Sequence, residues 1–261
     1  MIESPHNQLV KTARSLHDRK GRELAGLFLA EGPSVVAEAL AYAPGIEWIA
    51  WCPALGDETG RELVDAAREA GLTLHEMSER AFTALSDARS PQGIAAVLQI
   101  RASSLNVVRP EGDAVFLVLH EVRDPGNLGT MIRTADALGA QAVILCGDCV
   151  DQYEPKVVRA TAGSLFHLPV VEATWRQTKS WAEEHEIVLA ATSLDATLEL
   201  GLSPLPSRLA LVIGNEAHGL PDEVLQDARL RVRIPMRGRA ESLNAAVAAA
   251  IVLYEASRER D

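Results

Sequence analysis

At 261 residues, 48% hydrophobic and 23% charged, the chain has the composition of a globular protein with room for a sizeable core and two domains. No apolar run reaches bilayer length and the N-terminus lacks a signal-peptide layout, so no membrane partner and a cytoplasmic location are expected. A net charge of −11 excludes a protein coated in basic surface, although local patches still govern contact with phosphate.

The first hundred residues read as a small α/β unit. Asn7 to Arg22 is polar and predicted helical; Leu27–Ala30 is a short strand. Glu31-Gly-Pro-Ser34 is a turn that caps a helix from Val35 to Tyr42. Ile46–Trp51 is a strand, Thr59–Ala70 an amphipathic helix, Thr73–His75 a strand, Ser78–Ser86 a helix and Ile94–Ile100 a strand. Arg101–Asp113, with its Ser-Ser, Arg-Pro and Glu-Gly pairs, is the predicted linker between a domain of residues 1–100 and one of residues 114–261.

From Ala114 onward strands and helices alternate. The predicted strands are Val115–Leu119, Ala142–Cys146, Ile187–Thr192, Leu209–Ile213 and Leu230–Ile234. Helices are predicted to start near Asn127, Glu154, Thr174, Pro221 and Ser242. Near-continuous apolar strands suit a mostly parallel sheet with helices on both faces. The last helix, Ala245-Ala-Val-Ala-Ala-Ala-Ile-Val-Leu253, is apolar on nearly all sides. It is expected deep in the core, or packed partly against a second subunit.

Three loop blocks carry chemistry. The first, Asn127-Leu-Gly-Thr-Met-Ile-Arg133, opens a helix, and Asn127 suits an N-cap. Leu128, Ile132, Ala135 and Leu138 form a core stripe, which leaves Arg133 off it beside the small residues Gly129 and Ala137. A guanidinium there is either a surface charge paired with Asp124 or Asp136, or a fixed cation for a phosphate or an ionising hydroxyl. The second block, Gly214-Asn-Glu-Ala-His-Gly219, ends an apolar strand, and Glu216 is its only acid. In the third, Pro235 ends a strand and Ser242-Leu243-Asn244 opens the last helix, with Asn244 just inside it. Each block alone is weak. In this order, at strand ends, they mark a ligand site outside the carboxyl ends of a parallel sheet.

Other signals are missing. There is no Gly-x-Gly-x-x-Gly, no Walker A run and no Gly-x-Ser-x-Gly elbow, which disfavours a small-molecule Rossmann-type enzyme. The histidines show no metal-ligand spacing, and no metal is expected. Cys146-Gly-Asp-Cys149 has the spacing of a zinc or redox pair, but no second pair exists and Cys146 closes a strand, so buried structural thiols are expected.

Over about Val115 to Tyr254 the three blocks resemble the motifs of the SpoU (TrmH-type) RNA ribose 2′-O-methyltransferases of the SPOUT class. The first part is similar to the substrate-binding domain, related to ribosomal protein L30, often fused ahead of it. Ser4-Pro-His-Asn7, Phe28-Leu-Ala-Glu31-Gly32 and Pro91-Gln-Gly93-Ile94 carry that likeness. The resemblance implies a deep trefoil knot, a homodimer and S-adenosylmethionine as methyl donor. The donor would be held mostly by main chain at Gly214, Ile234 and Leu243, with Ile213, Asn215, Gly219 and Pro235 beside them. Arg133 is assigned to the target ribose, and Asn127, Glu216, Ser242 and Asn244 to the rest of the catalytic pocket. The resemblance leaves Arg133 as general base or as phosphate and alkoxide stabiliser; a guanidinium rarely gives up its proton, which favours the second. The implied substrate is structured RNA, first of all 23S ribosomal RNA. The alternatives are a tRNA 2′-O-methyltransferase and a non-catalytic RNA-binding or ribosome-assembly factor on the same fold. Expected RNA contacts are Lys11, Arg14 and Arg22 near the start, and Arg233, Arg237 and Arg239 beside the third block. Ala217 stands where many members have Gly, and Ala245-Ala246 where many have a second Ser.

Overall fold

The computed structural model describes residues 1–101, 103–193, 195–196, 198–202 and 204–258. The chain packs as two compact units, Met1–Ala102 with Asp151–His167, and Ser103–Val150 with Leu168–Asp261.

In chain order the first unit holds α1 (Gln8–Ser15), α2 (Arg19–Ala25), β1 (Leu27–Glu31), α3 (Pro33–Tyr42), β2 (Ile46–Trp51), α4 (Glu58–Glu69), β3 (Leu74–Glu76), α5 (Glu79–Leu85) and β4 (Ile94–Gln99). The strands form a sheet in the order β1-β4-β2-β3; β4 is antiparallel to β1 and β2, and β3 is parallel to β2. Strand side chains alternate between faces. Leu29, Trp48, Ala50, Ala95 and Val97 therefore pack with Val10, Leu16, Phe82 and Leu85 on one face. Phe28, Ile49, Trp51, Ile94 and Ala96 pack with Val35, Val36, Val64 and Ala67 on the other.

One predicted helix is two. The run Asn7–Arg22 breaks after Ser15, and Arg22 lies in the second helix. Its guanidinium collects the carbonyls that the break exposes, donating to the oxygens of Leu16 and His17 at 2.8 and 2.9 Å.

The second unit begins at the predicted linker, whose Leu105 and Val108 are buried in this unit's core; residue 102 lies outside the described residues. There follow β5 (Ala114–His120), α6 (Pro125–Ala137), β6 (Ala142–Cys146), α7 (Pro155–Thr161), β7 (Val170–Ala173), α8 (Trp175–Glu184), β8 (Val188–Thr192), β9 (Leu198–Glu199), β10 (Arg208–Ile213), α9 (Asp222–Asp227), β11 (Leu230–Arg233) and α10 (Ala245–Arg258). Among these α7 belongs to the first unit: Val158 is buried in that unit's core, so the unit is discontinuous in sequence where a contiguous division was expected. The seven strands run β7-β6-β5-β10-β8-β11-β9, every neighbouring pair parallel. β7 and β9 are strands the hydrophobic pattern did not predict; they are short sheet edges that contain Glu172 and Glu199.

This topology sets the site. After β5 the chain moves to β6 on one side, and after β10 it moves to β11 on the other, yet β5 and β10 are neighbours. Their carboxyl ends form a topological switch point, where open α/β sheets bind ligands. α6 packs against α10, and α10 against β5 and β10. The last helix is buried on one side only. Ala246, Ala249, Val252, Leu253 and Ala256 face the core, whereas Val247, Ile251 and Tyr254 are 48%, 37% and 57% exposed. That corrects the expectation of a helix sunk in the core.

Candidate active site at the carboxyl ends of the parallel strands

Asp124, not Asn127, caps α6. Its Oδ1 accepts the Asn127 N–H at 2.7 Å, and Pro125 fills the first helical position. Asn127 thus lies inside the first turn, with its side-chain amide free to act elsewhere. Its Nδ2 donates to Glu216 Oε1 at 2.9 Å, and its Oδ1 accepts from Asn244 Nδ2 at 3.0 Å. Asn244 in turn caps α10: its Oδ1 accepts the N–H groups of Ala246 and Val247 at 2.9 and 3.3 Å. The expectation of Asn244 just inside the helix and of a helix opened by Ser242 is corrected by this. Ser242 is an exposed residue of the preceding loop.

The three blocks are therefore joined side chain to side chain, Glu216 to Asn127 to Asn244. Each amide is oriented by its neighbours, and Glu216 remains exposed. The turn that carries it is tight. Gly214 is buried, and a Cβ there would sit 2.4 Å from the Gly219 carbonyl carbon and 2.7 Å from the Leu220 nitrogen, so the position excludes any side chain. Gly219 closes the turn with φ +67°, in the left-handed region. Ile213 ends β10 buried; Ile234 and Leu243 are half-buried and Pro235 is exposed.

Arg133 projects from α6 into solvent, roughly 9 Å along the helix axis from Asn127 at 1.5 Å per residue. Among the described residues no hydrogen bond or ion pair holds its guanidinium, and Asp124 is occupied by the Asn127 N–H. Of the predicted stripe, Leu128, Ile132 and Ala135 are buried and Leu138, at the end of the helix, is half-buried.

The basic residues divide. Lys11, Arg14, Arg237 and Arg239 are exposed, and Arg233 pairs with Glu199 at 2.8 Å. Arg22 is corrected as an RNA contact. Its side chain is 3% exposed, and it binds Asp151 through Nε and Nη2 at 2.9 and 2.5 Å. Four of its five N–H donors are used inside the first unit.

Cys146 Sγ lies 3.1 Å from Thr178 Oγ1, and Cys149 donates to the carbonyls of Leu119 and Cys146. Burial pushes both thiols up to about 11, so they are protonated at neutral pH and poor nucleophiles. His120, at the end of β5, is lowered by burial. Among the described residues no cluster of His, Cys, Asp or Glu could hold a metal ion, and no helix is long and apolar enough to cross a membrane.

Polar side chains and bare main chain gathered at the switch point of a parallel sheet, without a glycine-rich phosphate loop, define an α/β enzyme of the SPOUT type. The chain belongs to the SpoU rRNA Methylase family, which matches residues 114–254, and the MRM3-like substrate binding domain matches residues 7–96. It is 38% identical over 258 residues to the 23S rRNA (guanosine(2553)-2′-O)-methyltransferase RlmP of Bacillus subtilis, covering 97% of each chain. Among solved structures, the AdoMet-bound rRNA methyltransferase from Sinorhizobium meliloti superimposes with a TM-score of 0.89 at 33% identity, over 100% of this chain and 98% of that one. The SpoU methyltransferase AviRb from Streptomyces viridochromogenes, in complex with AdoMet, gives 0.87 at 31%, over 97% and 99%.

Proposed function

We propose that this protein transfers a methyl group from S-adenosylmethionine to a ribose 2′-hydroxyl in 23S ribosomal RNA. The hydrogen-bonded chain from Glu216 through Asn127 to Asn244 carries this reading, because it draws the three family motifs into one place. The loop ends fit the donor. Main chain at Gly214, Ile234 and Leu243 would hold it, with Ile213, Asn215, Gly219 and Pro235 around them, and the apolar Ile234 and Leu243 suit an adenosine-bearing ligand. When bound, S-adenosylmethionine supplies a methyl group already activated on a sulfonium.

The protein's part is positioning and charge. Among the described residues nothing holds the Arg133 donors, so it is suited to grip an RNA phosphate bidentately. It is also suited to stabilise the 2′-oxygen as its proton passes to water and the methyl passes to it from the sulfonium, which leaves as a neutral thioether. Glu216, Asn127, Ser242 and Asn244 complete the pocket that aligns the ribose for in-line attack. The first unit serves as the RNA-binding module, with contacts through Lys11 and Arg14, while Arg237 and Arg239 lie beside the third block. We assign Arg233 a weaker share, since Glu199 competes for it. The return of the chain from β11 to pack α10 on α6 supports the trefoil knot of the resemblance. The exposed stripe of Val247, Ile251 and Tyr254 supports a homodimer, and an RNA substrate of this kind supports a cytoplasmic location.

Mapping ribose methyls on 23S ribosomal RNA from cells with and without the protein tests the proposal. One position should lose its methyl when the protein is absent. An unchanged map, with no S-adenosylmethionine binding in calorimetry, would leave the chain a non-catalytic RNA-binding factor.

A further inference from the structure

Asn215 is bonded through every polar atom it has. Its Nδ2 donates to the main-chain oxygen of Glu121 at 2.8 Å. Its Oδ1 accepts the N–H groups of Ala217 and His218 at 2.9 and 3.1 Å. Its own N–H and carbonyl exchange hydrogen bonds with Gly219 at 3.0 and 2.9 Å. The side chain thus has one amide hydrogen left, and its work is internal.

The acceptor is itself held in an unusual way. Glu121 follows β5 with φ 55°, a left-handed conformation uncommon outside glycine. Its N–H donates to the Cys146 carbonyl at 2.9 Å, and the next residue, Val122, is fully buried and accepts the Val150 N–H at 2.9 Å. Gly147 fits against it so closely that a Cβ there would lie 2.9 Å from Glu121 Cγ. The loops after β5 and β6 together aim one carbonyl at Asn215.

We infer that Asn215 is a positioning residue: by gripping the Glu121 carbonyl it ties the loop after β10 to the loop after β5, and so sets where the main chain of residues 214–219, and Glu216 with it, meets the methyl donor. The inference rests on the proposed function, since it assigns the tether to donor binding. Glu216 follows directly in the chain, and its bond to Asn127 needs the turn held at this height.

Two variants of the full chain test it by calorimetry with S-adenosylmethionine, with thermal unfolding as the check on folding. Asn215→Asp keeps both acceptor bonds of the turn but sets a carboxylate against the Glu121 carbonyl; Asn215→Ala removes all three side-chain bonds. At about pH 8, Asn215→Asp should weaken binding by about tenfold or more, the scale of one buried bond lost against an unpaired acceptor. The Glu121 carbonyl favours the neutral form of the new carboxyl, and the N–H groups of Ala217 and His218 favour the ionised form. Where the carboxyl protonates, at about pH 4 and below, it can again donate to Glu121 and binding should recover relative to Asn215→Ala, which stays weak throughout. Wild type and Asn215→Ala carry the same neighbouring titratable groups, Glu121, Asp124, Glu216 and His218, and their profiles are the baseline. Wild-type affinity of Asn215→Asp at about pH 8, or weakness that does not lift as the pH falls, overturns the inference while the proposed function stands. Absence of binding by the wild type overturns both.

Discussion

Two charged networks, one in each unit, use the same chemistry to opposite ends. In the first unit Arg22 is buried, and its guanidinium is spent on Asp151 and two carbonyls. In the second, Arg133 stands in solvent beyond a hydrogen-bonded chain whose carboxylate, Glu216, is also exposed. A guanidinium with its donors satisfied inside the protein serves the fold. One with its donors unspent, next to oriented amides, can serve a ligand. Arg22 also fastens the segment Asp151–His167 into the first unit, together with Arg159, which lies 3.8 Å from buried Glu31 and 3.0 Å from Asp87.

The contrast is broken most directly at Arg133. Arg133→Ala should cut kcat by about 10²–10³-fold, the usual size of losing one electrostatic stabiliser of a transition state. Its stability should change by less than about 0.5 kcal/mol, because the residue is exposed and unpaired. Arg133→Lys keeps the charge but not the fork. Single-turnover methylation at the wild-type rate by that variant would refute the bidentate phosphate grip.

Arg22→Ala should behave in the opposite way. Removing one partner of a buried ion pair leaves Asp151 uncompensated and should cost about 3–5 kcal/mol in denaturant unfolding. The fraction that remains folded should bind S-adenosylmethionine as the wild type does. A neutral effect on stability would mean that Arg22 is available to RNA after all.

How much of this was legible follows the range of the interactions. Apolar runs such as Val115-Phe-Leu-Val-Leu119 marked central strands because hydrophobic pattern is local, and the helix expected near Thr174 starts there, closed by a capping box with Gln177. The edges β7 and β9 are short: β7 offers only Val170 and Val171 to burial and β9 spans two residues, too few for such a pattern. The three blocks of the site were legible as blocks, and the roles of their asparagines were not. Moving a helix start by a few residues turns Asn127 from cap to bridge and makes Asn244, expected just inside its helix, the cap as well as a bridge, and boundaries are the least certain part of any pattern. The signal for Asp124 was present in Asp124-Pro125, an acid before a proline suited to the first helical turn. Arg22 could not be read locally, because its partner is 129 residues away.

The exposed stripe on α10 gives a smaller and more specific test. Val247, Ile251 and Tyr254 recur at four and three residues, so they share one helix face. Ile251→Glu should shift the protein from dimer to monomer in sedimentation while each chain stays folded, since the side chain is already partly in solvent. A monomeric wild type would remove the dimer from the proposal and leave the stripe without a partner.

The smallest expected effect sharpens the comparison most, because it falls between fold and site. Asp124 does a structural job, capping α6, yet the N–H it binds belongs to Asn127. Loss of a cap costs typically about 1 kcal/mol, so Asp124→Ala should lower stability by about that amount. Its effect on kcat should be under about threefold, because Asn127 is also held from two other sides, by Glu216 and by Asn244, and such redundancy limits the displacement. Asp124→Asn, which can still accept the N–H, should recover most of the stability. If Asp124→Ala instead cost tenfold or more in kcat with stability little changed, the orientation of Asn127 would be set by the cap rather than by the chain of side chains. The line between residues that hold the fold and residues that present the site would then run through Asp124 itself.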